Sequence, residues 1–146
     1  MLKNLSPLLT PSLLFGLAKM GHGDWVAVVD ANFPAHRVSE EAGAELIEMP
    51  GLSTTLVLEA ILNVFPIDNF EKHSSLSMQV VGDDSAVPQA VSEFTRTLAQ
   101  RGEANPQAIE RFAFYDMART ASVIVQTGDL RKYANILLRK GVISID

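Results

Sequence analysis

The run Trp25-Val26-Ala27-Val28-Val29-Asp30 constrains the fold more than any other feature of the chain. Its first five residues are all apolar, three are β-branched, and none is a polar position that could face water on alternate residues. That is the form of a strand buried on both faces, and such strands belong to sheets covered by helices on each side. The following segment, Ala31-Asn32-Phe33-Pro34-Ala35-His36, is turn-rich and sits at the strand's carboxyl end, where α/β folds place their ligands.

The rest of the pattern alternates. Thr10-Pro11-Ser12 ahead of Leu13, Leu14, Leu17 and Ala18 predicts a capped helix over 11–20, with Gly21 as the stop. A weaker strand is expected over 45–49 and a helix over 53–64, ended by Phe65-Pro66. Residues 76–81 read as a strand, Gly82-Asp83-Asp84-Ser85 as a turn and 87–100 as a helix. Asn105-Pro106 reads as the cap and first turn of a further helix through Ala118. Strands over 121–126 and 136–138 and a short apolar coda at 142–145 close the chain. With no internal repeat or linker, residues 1–146 are expected to form one compact, layered α/β domain whose largely parallel central sheet is flanked by helices.

The absence of cysteine leaves His, acids, hydroxyls, Tyr, Lys and Arg as the side chains able to do chemistry. A formal charge of −5 argues against nucleic acid or an anionic membrane as partner, since both need excess Lys and Arg. The acids are concentrated: residues 40–93 hold ten of the seventeen against a single base, Lys72. The longest apolar stretches fall far below the ~20 residues that span a bilayer. Ser6-Pro7 and Thr10-Pro11 interrupt a faint signal-like run, so a cytoplasmic protein is expected.

Common nucleotide, hydrolase and zinc-peptidase motifs (GxGxxG, Walker, GxSxG, HExxH) are absent. His22 lies between Gly21 and Gly23; its plainest reading is a favourable charge at a helix C-terminus. Asp30 can be a turn former or a ligand group at a sheet's carboxyl end, while His36 and His73 read as solvated. The histidine spacings fit no local metal-ligand pattern, so no metal is expected. Arg111 and Tyr115 share a helix face at i, i+4, and Asn135 in Tyr133-Ala134-Asn135 can be a plain turn residue.

Taken in order, Met20-Gly21-His22-Gly23-Asp24, Asp30-Ala31-Asn32-Phe33-Pro34-Ala35, Arg111-Phe112-Ala113-Phe114-Tyr115, and Thr127-Gly128-Asp129 with Tyr133-Ala134-Asn135-Ile136 and Lys140-Gly141-Val142 resemble the L-fucose mutarotase / D-ribose pyranase family. The resemblance spans essentially the whole chain. It implies a compact α/β domain assembled into a homo-oligomeric ring, commonly a decamer, with sugar sites near subunit contacts. It implies that His22 is the proton donor and that Asp30, Arg111, Tyr133, Ala134 and Asn135 bind a free monosaccharide. Asn32-Phe33-Pro34-Ala35 and Arg111 resemble the fucose branch; Ala134 resembles the ribose branch, and Trp25 stands where an acid is common.

The implied activity is α/β anomer interconversion, with L-fucose the expected sugar. D-ribose pyranase-like activity, or a non-catalytic sugar-binding accessory of uptake, is the alternative. Ring opening moves a proton from the anomeric hydroxyl to the ring oxygen, a task suited to imidazole, whose unperturbed pKa is about 6.5. Neither the family's chemistry nor the residues calls for a cofactor.

Overall fold

The structure, a computed structural model, describes residues 1–146. The Thr10 hydroxyl accepts from the Leu13 N–H at 3.2 Å and opens α1 (Pro11–Lys19). Gly21 does not stop this helix; Met20 leaves it in extended conformation, and the left-handed turn falls later, on Gly23. β1 (Trp25–Val29) follows.

The expected loop over 31–36 is shorter than its composition suggests, because α2 (Ala35–Ala42) begins inside it and ends on a left-handed Gly43. Its sequence AHRVSEEA buries only Ala35, Val38 and Ser39, too few apolar residues for a legible stripe. β2 (Glu45–Met49) and α3 (Thr54–Leu62) match expectation, the latter capped by the Ser53 hydroxyl. β3 (Ser75–Met78) is shorter than the run over 76–81, since Val80 pairs back onto Asp83 across a turn with Gly82 at φ +81°.

α4 (Gln89–Ala99) is as expected, but Asn105-Pro106 caps nothing. Residues Gln107–Ile109 form an edge strand, β4, and the last helix, α5 (Arg111–Ala118), starts only after Glu110. The Glu110 carboxylate accepts from the Phe112 and Ala113 N–H groups at 2.8 and 3.2 Å, so an acid beyond the expected cap takes its place. The backbone ladder to β3 holds β4, and that pairing has no side-chain signature in three largely exposed residues. β5 (Val123–Thr127) and β6 (Ile136–Arg139) complete the chain.

The six strands form one sheet in the order β2-β5-β1-β6-β3-β4. Each pairing is parallel except those of β6, which runs antiparallel to both β1 and β3. The sheet is thus largely parallel, as expected, with one reversed strand beside β1. Two apolar clusters cover its faces. Val26 and Val28 pack with Leu13, Leu58 and Phe94 from α1, α3 and α4; Ala27 and Val29 pack with Val38 and Phe114 from α2 and α5. The alternation of Cβ direction along a strand, with helices on both sides, accounts for the unbroken apolar run of β1.

Candidate functional site

Because β6 runs against β1, its first residues lie beside β1's carboxyl end. There the Asn135 side-chain oxygen accepts from the Asp30 N–H at 2.8 Å, and Asp30 Oδ1 accepts from the Asn32 N–H at 2.9 Å. Asp30 and Asn135 are each 3% exposed. Arg111 enters from the first turn of α5 and Tyr115 from the next turn, its ring 5.4 Å from that of Phe33. Tyr133 closes the opposite wall, its hydroxyl accepting from the Val81 N–H at 3.1 Å.

These side chains line a cavity of about 280 Å³ with Lys132 at its edge, near the lower end of small-molecule pockets. The sequence-predicted residues Asp30, Arg111, Tyr133 and Asn135 therefore converge. Ala134 does not face the cavity: its methyl group is buried in the core, and its carbonyl accepts from the Thr54 hydroxyl at 2.8 Å. The cavity presents acceptors, donors and aromatic faces together, the equipment for a polyol. Burial pushes the Asp30 carboxyl above its usual range, although the N–H groups of Asn32 and Phe33 and the Asn135 side chain pull the other way.

His22 lies elsewhere. It precedes β1 whereas Asp30 follows it, and five strand residues carry the chain roughly 16 Å. At that other end His22 Nε2 is 3.0 Å from Asp68 Oδ1, which also accepts from the Phe70 N–H at 3.1 Å. The second Asp68 oxygen is 3.5 Å from Arg139 Nε, and the Phe70 ring lies 5.2 Å from the imidazole. The Asp68 side chain is fully buried, while His22 is 44% exposed. Burial alone would raise the Asp68 pKa, but the Phe70 N–H, His22 and Arg139 outweigh it and hold the carboxyl below its usual range.

The reading of His22 as a charge on the end of α1 is corrected by the structure. Lys140 occupies that place, its Nζ donating to the carbonyls of Leu17 and Met20 at 2.9 and 2.6 Å. His36 makes an exposed pair with Glu48, and His73 is exposed, as expected. No group of three or more His, Cys, Asp or Glu side chains is placed to hold a metal ion.

Sequence reasoning missed Asp68, and nothing in the pattern of Pro66-Ile67-Asp68-Asn69 marks it. The only clue was the acidic excess of 40–93, whose partners the fold reveals: Glu41 pairs with Arg119, Glu93 with Arg131, and Asp68 and Glu71 with Arg139.

A pH dependence follows from these pairs. Asp68, Asp129 and Glu93 all sit below their ordinary pKa values; burial opposes the shift at Asp68 and Asp129, whereas hydrogen bonds from Arg131 and Thr55 dominate at Glu93. A carboxyl depressed in the folded state adds stability above its unfolded pKa, near 4, and loses it as pH falls through the folded value. Asp30 and Glu103, both raised by burial, act in the opposite sense, but they are two groups against three. The melting temperature is expected to hold level from neutrality to about pH 5 and to fall below about pH 4, with a smaller acid drop in Asp68→Asn. Calorimetry across pH 3–7 checks it; an acid slope as steep in the variant as in the parent would show that Asp68 contributes nothing to it.

The chain is similar to known proteins along nearly its whole length. The chain is 43% identical over 147 residues to the L-fucose mutarotase of Glaesserella parasuis, covering 97% of this chain and 96% of that one. It superimposes on the fucose mutarotase of Streptococcus pneumoniae solved in complex with L-fucose with a TM-score of 0.89 at 31% identity, covering 98% of this chain and all of the other. The Bacillus subtilis RbsD complexed with D-ribose shares the fold, with a TM-score of 0.77 at 18% identity over 99% of this chain and all of that one. A family model matches residues 3–143, and the chain belongs to the RbsD / FucU transport protein family.

Proposed function

We propose that the chain is a mutarotase that interconverts the α and β anomers of a free monosaccharide, L-fucose, in the cytoplasm. The observation that carries this reading is the convergence of Asp30, Arg111, Tyr133 and Asn135 on one cavity of monosaccharide scale. The full-length relatives named L-fucose mutarotase support it. Asp30 accepts from sugar hydroxyls, Arg111 donates to them, and Tyr115 and Tyr133 offer flat apolar faces to the ring carbons.

His22 is the acid/base. Its Nε2 faces the Asp68 carboxylate, which accepts the Nε2 proton and leaves the Nδ1 lone pair for substrate. Nδ1 takes the anomeric hydroxyl proton and the imidazolium returns it to the ring oxygen. The bond from the anomeric carbon to the ring oxygen breaks as the carbonyl forms, and closure on the other face reverses each step. Since β1 separates His22 from the cavity of its own chain, the complete site takes His22 and Asp68 from one copy and the cavity from a neighbour. A head-to-tail contact of this kind generates a ring, in keeping with a decamer.

Saturation-transfer NMR on a panel of sugars tests the activity. L-fucose exchange well above the buffer rate is expected; faster exchange of D-ribose would move the protein to pyranase activity, and binding without acceleration would make it a sugar-binding accessory. A mixing experiment tests the shared site. His22→Ala and Arg111→Ala are each expected to be nearly inactive, but hetero-oligomers formed by co-expression regain activity because about a quarter of their sites combine two intact halves. Mixed oligomers as inactive as either parent would return His22 and the cavity to a single chain.

A further inference from the structure

Of the backbone conformations in the molecule, that of Tyr133 is the least expected. Only two residues other than glycine have positive φ, Asn4 at 63° and Tyr133 at 62°. Asparagine tolerates this region, whereas a bulky aromatic there is an outlier that persists only where its surroundings leave it no choice.

The surroundings on both sides are pinned. Ahead of Tyr133, the Arg131 N–H and Nε donate to Asp129 Oδ1 at 3.1 and 3.0 Å, one terminal nitrogen donates to Asp129 Oδ2 at 2.9 Å, and the other donates to Glu93 Oε2 at 2.6 Å. Both carboxylates are themselves tied to α3. Asp129 Oδ2 accepts from the Thr54 N–H at 3.1 Å, and Glu93 Oε1 accepts from the Thr55 hydroxyl at 2.7 Å. Behind Tyr133, the fully buried Thr54 hydroxyl holds the Ala134 carbonyl and also meets the Thr127 hydroxyl at 3.1 Å. Lys132 and Tyr133 are left to turn the chain between two fixed points, and Tyr133 takes the left-handed step.

We infer that Arg131, clamped between Asp129 and Glu93, is a positioning residue that holds Tyr133 in its left-handed conformation with its hydroxyl on the Val81 N–H, thereby fixing the wall of the sugar cavity. The role rests on the reading of the cavity as a sugar site, but the lock itself does not. A bidentate guanidinium suits it because a planar fork fixes direction as well as distance, which an ammonium does not. The hydrogen bonds from Arg131 to its two carboxylates raise its pKa above the ordinary arginine value, so the clamp is charged at every working pH. Val81 belongs to the turn that walls the cavity opposite, so the clamp on α3 and α4 reaches across the site through one phenol.

The test is Arg131→Lys, which keeps the charge and loses the fork, with Glu93→Gln as the second variant should the first fail to fold. Two readouts are taken. Hydrogen exchange of the Val81 amide and the Cα and Cβ shifts of Tyr133 report the lock without any sugar. Faster Val81 exchange and Tyr133 shifts moving toward ordinary backbone values are expected. On L-fucose, KM is expected to rise about tenfold with kcat within about twofold, the pattern of lost uniform binding. In a Tyr133→Gly background, Arg131→Lys is expected to leave KM unmoved. Unchanged Val81 exchange and Tyr133 shifts in a folded variant would overturn the lock. An equal KM increase in both backgrounds would also overturn it, since Arg131 would then act by a route other than Tyr133. If Val81 exchange responds but the parent protein accelerates no sugar, the mutarotase reading fails and the lock stands.

Discussion

Replacing His22 with alanine is expected to slow anomer exchange of L-fucose about 10²–10⁴-fold, the range attributed to a positioned acid/base group. The fold is expected to survive, because the His22 side chain is 44% exposed and buries little apolar surface. Asp68 loses one partner but keeps the Phe70 N–H and the nearby Arg139, so its carboxylate is not abandoned in the core. Saturation-transfer NMR gives the rate, and calorimetry gives a melting temperature expected within a few degrees of the parent. A folded His22→Ala protein that exchanges L-fucose at the parent rate would remove the imidazole from the chemistry. Asp68→Asn is expected to give a smaller loss, since an amide still meets the ring but does not hold its tautomer as a carboxylate does.

Gly128→Ala is expected to be the most damaging substitution at the cavity end of the sheet. A Cβ at Gly128 would stand 1.7 Å from the Pro50 carbonyl oxygen and 2.6 Å from its carbon, and both are backbone atoms. The constraint is contact rather than conformation, as Gly128 is not among the glycines of positive φ. Its N–H donates to the Leu52 carbonyl at 3.0 Å, and Asp129 beside it accepts at its carbonyl from the Ala31 N–H at 2.9 Å. Pushing this loop off Pro50 therefore disturbs Asp129, the Arg131 clamp and the chain after Asp30 together. A loss of about 3 kcal/mol or more is expected, the upper end of overpacking, or about 10 °C in melting temperature for a chain of this size. Gly51→Ala is the control, since a Cβ there meets nothing within 4 Å. Equal melting temperatures for the two variants would show that the loop gives way freely.

The elements that were legible share one property: their burial is written along their own residues. β1 declares itself by an unbroken apolar run, and α3 by Ser53 ahead of Leu56 and Ala60. The elements that were misread depend on something outside themselves. α2 is helical with three buried residues because β2 and β5 lie beneath it, and β4 exists because β3 offers it a ladder. Glu110 rather than Asn105 caps α5 because residues 107–109 are drawn into the sheet first. Local propensity ranks such choices only until packing against a neighbouring strand or helix outweighs it.

The candidate site divides in the same way. From the sequence alone came the polar residues themselves, the strand that carries Asp30 to the sheet's carboxyl end and the absence of cysteine chemistry. Those follow from residue type and spacing. Only the tertiary structure decided that His22 and Asp30 lie at opposite ends of β1, that Asp68 meets His22 across 46 residues, and that Asn135 meets Asp30 across 105. Those pairings follow from strand order and from the reversed direction of β6. Such choices are made by the burial of a whole sheet between two helical layers, a sum over many residues that no single segment of sequence displays.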